Sequence, residues 1–150
     1  MRLENWDSKL QLIIEETINK EKWALGKNDC LTFPIKCIEA ITGIKVFDNK
    51  YKSLKEAKKI LKSMRSKDIL GVALKNAKKY NFKKIDISKV QKGDVLYYRT
   101  DKADFNGTLG VCIGESVMFN WSESINLKKK EDCLIAWRVE WKFIIKLYMI

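Results

Sequence analysis

The residue in this chain best suited to chemistry is Cys30, which follows Gly26-Lys27-Asn28-Asp29 at the start of a predicted helix. Unpaired amides and the positive end of a helix dipole favour thiolate over thiol, and the same amides can hold an oxyanion. That position therefore reads in two ways: as a nucleophile, or as a small apolar residue packing the helix start, as free cysteines often do. Its partners are limited by composition. The chain has no histidine, so the usual base for a cysteine nucleophile is missing, and so are mixed Cys/His zinc sites. The four cysteines (Cys30, Cys37, Cys112, Cys133) include no CxxC pair and read as reduced thiols, with no metal and no cofactor expected. Lys27, Asp29 and Asp94 are polar groups near the motifs and read as structural, with Asp29 placed to cap the helix of Cys30. Trp6, Trp23, Trp121, Trp137 and Trp141 read as core and edge packing.

The surrounding pattern predicts which elements hold these groups. Residues 5–20 place Trp6, Leu10, Ile13, Ile14 and Ile18 at helical spacing. A second helix over 30–41 carries Phe33, Cys37, Ile38 and Ile41 on one side, stops at Gly43 and holds Pro34 in its first turns. Ser53-Leu54-Lys55-Glu56 fits a capping box opening a third helix, with Leu54, Ala57, Ile60, Leu61 and Met64 facing inward. A fourth helix spans about 67–80. Beyond it the period changes, and 95–99, 109–113, 117–121 and 134–139 read as strands. Helices followed by consecutive strands predict an α+β domain with N-terminal helices packed on a C-terminal antiparallel sheet.

The 150 residues suit one domain, and 46% hydrophobic against 33% charged residues exclude a disordered chain. The first residues lack the apolar core of a secretion signal. The apolar run 143–150 contains Lys146 and falls well short of the ~20 residues of a membrane span. The net charge of +11 is concentrated: residues 50–92 hold fifteen Lys and Arg against Glu56, Asp68 and Asp86, a local +12 that leaves the rest near −1. Only Arg65 in that stretch is arginine, so it reads either as a solvated lysine face or as a docking surface for an acidic protein or polyanion. The apolar extension 140–150 either packs back as a last strand or helix, or docks on a partner.

Four stretches in order resemble the NlpC-type, papain-like cell-wall peptidase superfamily. Trp23-Ala24-Leu25-Gly26-Lys27-Asn28-Asp29-Cys30-Leu31-Thr32-Phe33 is similar to its nucleophile motif. Gln91-Lys92-Gly93-Asp94-Val95-Leu96 resembles the entry to its first sheet strand. Leu109-Gly110-Val111-Cys112-Ile113-Gly114 is similar to the strand that begins at its catalytic base. Val117-Met118-Phe119-Asn120-Trp121 stands where the next strand carries the third, polar member. The Trp6-Asp7 helix and Ala136-Trp137-Arg138-Val139 further resemble a phage and prophage branch. The resemblance implies an NlpC-type fold with Cys30 at the nucleophile position, Thr108 at the base and Asn120 in the third place. A threonine hydroxyl takes no proton near neutral pH, and losing a base typically costs ~10²–10⁴ in rate. The implied function is that of a pseudoenzyme in a phage tail tip or tail assembly, made in the host cytoplasm and carried in the virion. Its partners would be other tail proteins, met through 140–150 and the basic 50–92 face. The alternatives are a cysteine peptidase or amidase acting on peptidoglycan through Cys30, or a small host-takeover or anti-defence binding protein.

Overall fold

A computed structural model describes residues 1–19, 24–27, 29–121 and 124–140. Trp23 and Asn28 of the cysteine motif, and residues 141–150 with nearly all of the apolar extension, lie outside them. Four helices come first: α1 (Trp6–Asn19), α2 (Thr32–Thr42), α3 (Leu54–Ser63) and α4 (Ile69–Tyr80). Strands follow as β1 (Lys83–Ile85), β2 (Val95–Arg99), β3 (Gly107–Cys112), β4 (Val117–Trp121), β5 (Ser124–Lys128) and β6 (Ile135–Arg138). They form one antiparallel sheet in the order β1-β6-β2-β3-β4-β5. The α+β expectation, helices first and antiparallel sheet after, is what the chain adopts.

Local chemistry sets most of the helix ends. α2 stops where Gly43 turns left-handed at φ 80°. α3 starts at Ser53, whose hydroxyl accepts from the Glu56 amide at 3.2 Å, while the Glu56 carboxylate takes the amide of Lys52 at 2.7 Å. The capping box is thus displaced by one residue on its return bond. Asp68 accepts from the Gly71 amide at 2.9 Å, which moves the start of α4 from 67 to Ile69. α2 likewise begins at Thr32, two residues later than its apolar spacing suggests. Ile18 is exposed at the end of α1, not inward as its spacing predicted.

The main core lies between the helices and one face of the sheet. Leu10 and Ile14 of α1 meet Phe33, Cys37 and Ile41 of α2 over Val95, Tyr97, Leu109, Val111, Met118 and Trp137. Each side chain so buried contributes on the order of 2 kcal/mol. A smaller cluster covers the other face, with Leu96, Cys112, Val117, Phe119, Cys133 and Ala136. Phe119 lies so close to β3 that a Cβ at Gly110 would come within 2.6 Å of its ring.

At one end of the sheet Asp94 is fully buried and held by two arginines. Arg138 grips it with two bonds at 3.1 and 3.0 Å, Arg2 reaches it at 3.4 Å, and the Gln91 amide donates at 2.7 Å. Arg2 also donates to the Val139 and Lys92 carbonyls and lies 4.4 Å from the Trp6 ring centre. Asp94 thus ties Arg2, near the chain's start, to Arg138 of β6.

Candidate functional site

The loop before α2 is organised by Asp29, which is 1% exposed. One carboxylate oxygen accepts from the amides of Leu31 (2.9 Å) and Thr32 (2.8 Å), the first free donors of α2. The other accepts from the Gly26 amide (2.7 Å) and the Tyr51 hydroxyl (2.6 Å). Thr32 returns a bond, its hydroxyl accepting from the Asp29 amide at 2.6 Å. Gly26 is required for this loop: its φ is +81°, and a Cβ would overlap the Tyr51 carbonyl. Asp29 is therefore the cap that the sequence suggested, with a second function as anchor for Tyr51, 22 residues away.

Burial, with that cap second, sets the state of Cys30. The sequence pattern led us to expect a helix start that lowers the thiol pKa; instead it is pushed up to about 12. Burial is the largest cause, followed by the neighbouring Asp29 carboxylate; the cysteine's own amide pulls the other way. The residue as a whole is half-buried and lines an apolar cavity of about 40 Å³ together with Leu25, Leu31, Ile60, Leu61, Ile69 and Phe105 among others. Burial outweighs the helix dipole here, and the Leu31 and Thr32 amides that could have helped a thiolate already serve Asp29. The Tyr51 hydroxyl is likewise held protonated by burial and by Asp29.

Thr108, at the expected base position, is the second residue of β3, pairs with Tyr98 and is fully buried. Its hydroxyl comes near enough to Cys30 to exert the weakest of the influences on that thiol. It makes no hydrogen bond of acceptable geometry, and among the described residues its oxygen alone is buried side-chain polarity without a partner. Asn120 is 2% exposed on β4, opposite Ile125 of β5 and on the sheet face it shares with Met118. The fold thus brings Cys30 beside Thr108 and sets Asn120 on the helix-facing side of the adjacent strand.

Acyl transfer needs a thiolate, a base and oxyanion donors. Among the described residues the thiol of Cys30 is raised rather than lowered, and the Leu31 and Thr32 amides are taken by Asp29. The chain has no histidine to supply the base. The remaining cysteines are free and buried, and burial raises each of their thiols. Among the described residues no group of three Cys, Asp or Glu is placed to hold a metal, and no helix is long and apolar enough to cross a membrane. Sequence reasoning missed Tyr51, for which no motif gives a signal, and the arginine pair on Asp94.

Among curated proteins none matches the chain. Residues 1–139 match the family described as Domain of unknown function (DUF6950). That match covers the helices, Cys30, Thr108, Asn120 and the sheet through β6, and the chain is a member of the DUF6950 family.

Proposed function

We propose that this chain is a non-hydrolytic domain of the papain-like, NlpC-type fold that acts through protein–protein contacts as a component of a phage tail tip or tail assembly. The observation that carries the non-hydrolytic reading is Cys30 lining an apolar cavity, its thiol raised by burial and by Asp29, with Asp29 occupying the Leu31 and Thr32 amides and a threonine, Thr108, at the expected base position. Helices preceding an antiparallel sheet, with the cysteine at the entry to α2, support the fold assignment. The tail placement rests on the resemblance of Trp6-Asp7 and Ala136-Trp137-Arg138-Val139 to the phage branch.

Mass spectrometry of washed virions, with a pull-down against the tail proteins, tests the placement. The protein is expected in the particle at a fixed copy number and in complex with at least one tail protein. Absence from virions together with no tail-protein binding would overturn it.

A further inference from the structure

Helix α3 carries Lys55, Lys58, Lys59 and Lys62, all exposed, at positions i, i+3, i+4 and i+7. That spacing puts the four ammonium groups on one face, opposite buried Ala57 and part-buried Ile60 and Leu61, along about 10 Å of helix. Elsewhere on the surface two lysines meet carboxylates, Lys45 with Asp48 at 3.4 Å and Lys92 with Asp7 at 2.7 Å. The α3 lysines have no ion pair among the described residues, and the helix's one carboxylate, Glu56, is turned to the Lys52 amide. Like charges three and four residues apart repel, and no ion pair among the described residues relieves that repulsion on α3. α4 repeats the pattern with Lys75, Lys78 and Lys79, and the Lys75 ammonium donates to the Met64 carbonyl at the end of α3.

We propose that the α3 lysine stripe is a docking surface for an acidic protein segment whose carboxylates recur at helical spacing. The inference rests on the protein-contact reading above and names the chemistry of the partner. Lysines on successive helix turns stand about 5–6 Å apart, matching carboxylates on a helix laid against them. A nucleic-acid partner fits less well. Only Arg65 in residues 50–92 offers a guanidinium fork, and α3 has no aromatic side chain on which a base could stack.

The test uses the full chain with two labelled probes, a poly-L-glutamate peptide and a short DNA duplex, followed by fluorescence anisotropy at physiological ionic strength. Poly-glutamate is expected to bind more tightly than the duplex. Replacing all four lysines by Gln, which keeps helix propensity, is expected to weaken poly-glutamate binding about tenfold. Replacing them by Arg is expected to leave it within about twofold. Tighter binding of the duplex, no binding of poly-glutamate, or unchanged affinity in a Gln variant with wild-type circular dichroism would each overturn the proposal. Failure of the underlying reading has a separate signal: hydrolysis by the wild-type protein that Cys30→Ala abolishes, which this binding measurement does not register.

Discussion

Alkylation of native Cys30 gives the sharpest prediction, because its rate follows the thiolate fraction. An ordinary cysteine ionises near pH 8.5, so several per cent is thiolate at about pH 7.5. With the Cys30 thiol pushed up to about 12, the fraction falls to a few parts in 10⁵, a loss of about a thousandfold before any obstruction by the cavity walls. Iodoacetamide followed by intact-mass spectrometry is expected to add no label to the native protein while the denatured protein takes four. Asp29→Asn removes the second-largest cause yet keeps an oxygen for the Leu31 and Thr32 amides, so labelling should quicken, by less than the full thousandfold. Labelling of native wild-type Cys30 within about tenfold of free cysteine would refute the reasoning, since it would require a thiolate that burial and Asp29 are argued to forbid.

Stability should fall in alkali. The Cys30 and Cys37 thiols are raised above their unfolded values, so their contribution is full below about pH 8.5 and is lost as pH rises toward 12. Those two groups alone predict about 3–4 kcal/mol less stability at pH 10 than at pH 8 in urea melts, with Cys112 and Cys133 adding in the same direction, and equal midpoints would contradict the shifts. Thr108→Val replaces a buried hydroxyl that makes no hydrogen bond of acceptable geometry among the described residues, and is expected to be neutral or stabilising by about 1 kcal/mol in thermal melts; a clear loss would show the hydroxyl is satisfied. Arg138→Ala strips two bonds from the fully buried Asp94 carboxylate and should cost about 3 kcal/mol, read by urea denaturation; a change below about 1 kcal/mol would mean Arg2 and the Gln91 amide suffice to hold the carboxylate.

Much of the architecture was legible where local pattern decides it. Gly43, Ser53 and the short runs 95–99 and 117–121 led to elements found at or within two residues of the expected ends. The short strands Lys83–Ile85 and Ser124–Lys128 were not legible, since both sit at sheet edges and owe their conformation to pairing with β6 and β4. The same division applies to the site. The cysteine motif brought attention to Cys30, and composition alone removed the histidine. The reversal of its expected acidity came from contacts that sequence does not order: Tyr51 closing on Asp29, and α3 and α4 walling the cavity with Ile60, Leu61 and Ile69. The salt-bridged Asp94 spans separations of 92 and 44 residues, beyond the reach of any local pattern.

The claim that the nucleophile position is chemically silent is tested most directly on its expected substrate. Purified wild-type protein and Cys30→Ala, incubated with peptidoglycan sacculi from acid to mildly alkaline pH, should release no soluble fragments beyond the protein-free control. Release by wild type that disappears in Cys30→Ala would contradict the account.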